Sequence, residues 1–223
     1  MNFIYFLLFS VVIFLLSLVC YEKFRSTTLY ALSIGGAVNA NFFHAGNYPI
    51  DCFGLPFGID SIIFSVFAYC VIIMFLKVSK REAYILTFST VIAIMFSALM
   101  QLVAELFTIG SCPTVWISFL NFFVSAAASL ISAWVMLEIL DKMKNKNINQ
   151  YIILIAGMLI ISVVNSAIYY SIATWINGAP ENILVLLFTS FVGKVIALGC
   201  SVGTFYLTSK IEKVIEKHSQ QAK

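Results

Sequence analysis

Charge is what this sequence has least of. Only 10% of its 223 residues are Asp, Glu, Lys or Arg, while 61% are hydrophobic and Phe alone contributes 21. A soluble domain carries roughly a quarter charged residues, so this chain cannot cover a water-facing surface and reads as an integral membrane protein. The net charge of +3 supplies no basic patch for nucleic acid. No G-x-x-x-x-G-K-[ST] loop is present, so the chain hydrolyses no ATP by itself. H-E-x-x-H, G-x-S-x-G and paired aspartates within helices are also missing, which argues against an intramembrane enzyme. No Cys/His spacing suits zinc, and no cofactor is expected. Internal repeats and linkers are missing too, and the chain is expected to form one domain.

What is present is a series of long apolar runs. A bilayer core of roughly 30 Å takes about 20 residues per helix, and this ruler predicts an all-α, polytopic membrane protein. Seven spans are expected, near 3–21, 27–45, 57–76, 83–107, 114–137, 151–176 and 183–208. Twelve of the thirteen cations fall in alternate connections: Lys23 and Arg25; Lys77, Lys80 and Arg81; Lys142, Lys144 and Lys146; and Lys210, Lys213, Lys217 and Lys223. Cytoplasmic loops hold such an excess, so the N-terminus is expected outside the plasma membrane and the C-terminus in the cytoplasm. The expected organisation is an N-terminal transmembrane helix and turn (1–26), a six-helix transmembrane core (27–208) and a basic cytoplasmic tail (209–223). The tail, with Ile211, Val214 and Ile215 on one side, reads as a short amphipathic helix for anionic headgroups. The first span lacks a positive n-region and an A-x-A site, so it is expected to stay. Cys52 and Cys112 both fall in outer loops, where an oxidising exterior would let them pair. "GNYPIDCFGLPFG" reads as an ordered outer loop.

Each polar residue inside a span needs a partner or water. The thirteenth cation, Lys194, lies about 16 Å below the outer surface, beyond the reach of snorkelling. A charge there costs roughly 3 kcal/mol on insertion scales, so it must face an acid or a wet cavity, and Glu105 and Asp60 are the acids on the outer side. Lys194 shares a face with Ser190, Ala197 and Ser201. Asn41 and His44 lie near the outer end of the second span with Asn39 beside them, Asp60 opens the third, and Gln101 and Glu105 form an i,i+4 pair in the fourth. Asn121 enters the fifth, and Asn165 and Tyr169 share a face of the sixth. These groups lie almost entirely in the outer halves, the pattern of a substrate pocket open to the exterior and closed below by apolar packing. Duller roles exist for several. Asp60 suits a helix N-terminus, Glu105 can reach headgroups, His44 borders a loop, and the asparagines can join helices. Small residues recur every fourth position at Ser125, Ser129 and Ala133 and at Gly199 and Gly203, ridges that serve packing within the bundle or contact with a partner.

At "GGAVNANFFHAGNYPIDCFGLPFGIDSIIF" (Gly35 to Phe64) and "LFTSFVGKVIALGCSVGTFYL", the chain resembles the vitamin-uptake-transporter-like family, also called queuosine precursor transporters. The first segment is similar in its Asn-rich helix, its Phe-Gly loop and Asp60; the second is similar to that family's last helix with its buried Lys194. The chain departs after Asp60, where "DSIIFSVF" lacks the further acids and Tyr-Gly pair of better-known members. The resemblance implies uptake of a deazapurine precursor of queuosine or a related vitamin-like molecule. It also implies likeness to the six-helix substrate-binding subunits of energy-coupling-factor transporters. Glu105 or Asp60 would accept from the ring N–H groups, Asn, Gln and Lys would serve its carbonyl, and Tyr169, Tyr170 and Trp175 would stack on it. Implied partners are the small-molecule substrate, the lipid bilayer and an energy-coupling membrane subunit with its ATPases, with Ser125, Ser129 and Ala133 as the docking face; proton coupling without them is the other option. Two further readings compete. One is a non-transporting structural or regulatory membrane protein. The other is a retinal-binding seven-helix photoreceptor, disfavoured because Ser190 stands where an Asp commonly precedes the Lys.

Overall fold

A computed structural model describes residues 8, 11–16, 19, 26–45, 49–52, 55–111, 113–177 and 183–221, with the side chains of 40–63, 177–187, 208, 209 and 211–221 outside that description. Among the described residues, six helices follow one another from Ser26 onward: α1 (Ser26–Ala45), α2 (Ile59–Lys77), α3 (Lys80–Thr108), α4 (Pro113–Asn145), α5 (Gln150–Asn177) and α6 (Ile183–Gln221). Residues 11–16, within the expected first span, are helical. Four helices among the described residues are long and apolar enough to cross a membrane: α3, α4, α5 and, over Phe188–Leu207, α6. Their outward surface is apolar as well, with Ile92, Phe96, Phe107 and Trp134 exposed. Apolar residues on the outside of a bundle are what lipid contact requires, and the chain is membrane-embedded in kind.

The expected outer loop is instead a hairpin. β1 (Pro49–Cys52) and β2 (Leu55–Gly58) pair antiparallel, with Cys52 opposite Leu55. A two-residue connection closes such a ribbon, and two strands expose both edges, so Pro49 and Pro56 cost no ladder bond that a sheet interior would need. β2 packs against α6 and the start of α2. The expected partner of Cys52, Cys112, lies outside the described residues.

Local chemistry sets the other turns. Ser79 caps α3 by accepting from the Glu82 amide at 3.1 Å, the first half of a capping box. Gly110 (φ 82°) follows the end of α3 and Pro113 opens α4, the usual glycine-stop and proline-start pair. Asn147 takes the left-handed conformation (φ 55°) that ends α4, and the Asn149 carboxamide caps α5 by accepting from the Tyr151 amide at 2.9 Å. Short connections make sequence neighbours antiparallel, so alternate connections gather at two ends of the bundle: a hairpin end and a lysine-bearing end.

α2 is the axis of the bundle. α1 packs on α3, α3 on α4, α4 on α5 and α5 on α6, and α2 touches all five. Every residue from Ser65 to Phe75 is buried, as a helix apolar on all faces demands. One core surrounds it: Leu29 of α1, Ala83 and Leu86 of α3, Met136 and Leu140 of α4, Leu154 and Met158 of α5, and Ala197 and Phe205 of α6. Phe14 joins this core edge-on to Tyr69, ring centroids 5.1 Å apart. Nearly all these residues lie toward the lysine-bearing end.

Polar bonds stitch that end together, beyond the apolar spans. Lys80 lies 2.9 Å from Asp141 and 3.1 Å from Glu138, joining α3 to α4. The Tyr84 hydroxyl of α3 also donates to Glu138, at 2.6 Å. Tyr30 of α1 donates to Glu82 of α3 at 3.2 Å. Lys144 donates to the Phe75 carbonyl at 3.3 Å, a cation on the last turn of α2 where the helix dipole favours one.

Candidate functional site

The site is built outward from Lys194. On α6 its neighbours along the helix face, Ala197 and Ser201, are buried, and Lys194 itself is only 6% exposed. The expected inward stripe is therefore real. The ammonium donates to the Ser166 hydroxyl of α5 at 2.6 Å and lies 5.0 Å from the centroid of the Phe64 ring of α2. A short charge-assisted bond and a ring face each offset part of the desolvation cost of a buried cation. Phe64 stands one helical turn after Asp60, so the helix that supplies the ring also carries an acid at the register above it.

Asn165, next to Ser166, is buried, and Tyr169 and Tyr170 meet edge to face with centroids 5.4 Å apart. Beside them, between α5 and α6, lies a cavity of about 450 Å³ lined by Ser166, Tyr170, Ser171, Thr174 and Phe191 among others. Ser166 thus touches both the ammonium and this space. Thr174 donates to the Tyr170 carbonyl at 2.6 Å, so its hydroxyl is satisfied within its own helix.

The other expected residues fall elsewhere. Gln101 donates to Glu105 at 2.8 Å on α3, both half-buried. In the ring of helices α3 and α6 are three neighbours apart, with α2 at the centre, so Glu105 and Lys194 are held on different sides of the axis. Asn39 is exposed and its carboxamide donates back to the Gly35 carbonyl at 2.7 Å. Asn121 on α4 is half-buried. Asn41 and His44 belong to the last turns of α1 and Asp60 to the first turn of α2, their side chains lying outside the described residues. Among the described residues, no group of three His, Cys, Asp or Glu could hold a metal ion.

No protein-family model, no curated protein and no solved structure matches this chain.

Two expectations are corrected. Trp175 is 85% exposed, so it faces away from the bundle and cannot stack on a ligand beside Tyr169 and Tyr170. The ridge of Ser125, Ser129 and Ala133 is no docking face: Ser129 and Ala133 are buried, and the Ser129 hydroxyl donates to the Ser125 carbonyl at 2.8 Å. Small residues here let α4 pack within the bundle. Sequence reasoning missed Ser166 and Phe64. Both sit in long apolar runs, where helical period alone does not reveal which residue meets a lysine on another helix.

Proposed function

We propose that the chain is a membrane uptake transporter, or the substrate-binding subunit of one, for a small vitamin-like molecule. The resemblance favours a queuosine precursor of the 7-deazaguanine type. One observation carries the reading: a buried lysine, held by a hydroxyl and a ring face, stands where the apolar core gives way to polar groups. Such intramembrane cations mark substrate or ion pathways. A deazapurine offers adjacent N–H donors to Asp60 and a carbonyl to Lys194; Glu105, across the axis, takes no part in this contact. The proposed unit is α1 to α6, with both ends cytoplasmic, in the plasma membrane. Energy comes from a partner membrane subunit with ATPases, or from protons.

The test is ligand-dependent thermal stabilisation of purified protein, screened with deazaguanine precursors, nucleobases and water-soluble vitamins, alongside Lys194→Met. The expected result is a rise in Tm with one compound that the folded variant loses. A wild-type protein indifferent to the whole panel overturns the substrate class. The non-transporting reading has one observation in its favour, since Gln101 and Glu105 already bond one another. It predicts no saturable ligand of any kind.

A further inference from the structure

The lysine-bearing end carries an amphipathic feature that the transport reading does not use. Between α3 and α4 an apolar groove of about 360 Å³ is lined by Tyr84, Thr87, Phe88, Leu130, Ile131 and Trp134. Phe88, Ile131 and Trp134 are themselves exposed, so the groove opens onto the lipid-facing surface and not into the bundle. Its lower end is Tyr84, whose hydroxyl donates to Glu138 at 2.6 Å. Immediately beyond lies the Lys80, Glu138 and Asp141 cluster, two carboxylates to one ammonium.

Two carboxylates present about eight lone-pair positions. The bonds from Tyr84 and Lys80 leave most of them unused, and the Glu138 and Asp141 side chains are 44% and 36% exposed. N–H donors from outside the bundle are what this arrangement lacks. Cations stand beside it: Arg81 follows Lys80, Lys142 follows Asp141, and both are exposed. Hydrocarbon slot, acceptor pair and flanking cations thus follow one another from the apolar span to its polar boundary.

We propose that this groove binds one phosphatidylethanolamine molecule. An acyl chain lies against Phe88, Ile131 and Trp134, the ammonium hydrogen-bonds to Glu138 and Asp141, and the phosphate is held by Arg81 and Lys142. Charge complementarity selects the headgroup. A primary ammonium brings three N–H donors, whereas the trimethylammonium of phosphatidylcholine brings none. Phosphatidylglycerol has no cation for the carboxylates at all.

Trp134 reports on the groove directly. The chain has three tryptophans, and Trp116 and Trp175 are exposed near the hairpin end, so Trp116→Phe with Trp175→Phe leaves Trp134 as the single indole. In detergent, this full-length variant is titrated with phosphatidylethanolamine, phosphatidylcholine or phosphatidylglycerol carrying brominated acyl chains. Half-quenching is expected at about a fivefold lower mole fraction of phosphatidylethanolamine than of phosphatidylcholine, the discrimination of roughly one added hydrogen bond. Glu138→Gln with Asp141→Asn is expected to abolish that difference while both lipids still quench. Equal quenching in the parent protein overturns the proposal, as does tighter binding of phosphatidylglycerol, which would show the cations to dominate. Quenching resistant to lipid but dependent on protein concentration would show a second copy in the groove, and also overturns it. Should the double variant not fold, Asp141→Asn alone is expected to shrink the preference, and an unchanged preference counts against the proposal.

Discussion

Ser166 shows what a single residue contributes inside a membrane. Its hydroxyl is 2.6 Å from a buried ammonium, and hydrogen bonds to charged groups contribute about 1.5–3 kcal/mol net. Ser166→Ala is therefore expected to lower stability by about that amount, read as a lower Tm in detergent. If Lys194→Met is combined with it, the further loss should be small, because the charge that the Ser166 hydroxyl serves has gone. Additive losses would mean that Ser166 acts through something other than Lys194. Lys194 was legible from its position in an apolar run. Its partner was not, because a serine among apolar residues carries no mark of which neighbour it faces.

At the scale of the element, two kinds of glycine separate. A Cβ on Gly157 of α5 would stand 2.8 Å from the Ile72 side chain of α2 and 3.0 Å from that of Leu140 of α4, so three helices meet closely there. Gly199 and Gly203 of α6 are exposed and have nothing within 4 Å of the same position. Gly157→Leu is expected to cost about 1–3 kcal/mol or more by overpacking, whereas Gly199→Leu and Gly203→Leu should stay within about 0.5 kcal/mol. Thermal melts of the three variants in one detergent check this, and a large loss at Gly199 would reveal a packed partner on α6. The length of the apolar runs located the starts of all six of these helices to within a few residues. It underestimated α4 and α6, which run 33 and 39 residues, because a helix continues past the apolar span wherever polar residues keep its backbone bonds and nothing stops it. The hairpin at Pro49–Gly58 reads in the sequence as an ordered outer loop, since prolines and glycine hide a four-residue strand.

For the molecule as a whole, charge asymmetry predicts orientation. A fluorescent reporter fused after Lys223 should light up, as one that folds only in the cytoplasm does when the C-terminus lies there, and a periplasmic phosphatase at the same place should be silent. The reverse pair of signals would invert the bundle and place the Lys194 level nearer the cytoplasm. By itself the sequence determined that this chain belongs in a membrane and that Lys194 needs a partner. Those properties follow from composition and period, which act locally along the chain. Tertiary structure alone decided that α2 is the buried axis, that Lys194 meets Ser166 and Phe64, and that Glu105, bonded to Gln101, lies across the axis from it. It also turned Trp175 outward and the Ser129 ridge inward. Apolar residues around every face of a helix leave its azimuth undetermined, and only the packing of its neighbours sets which face each residue presents.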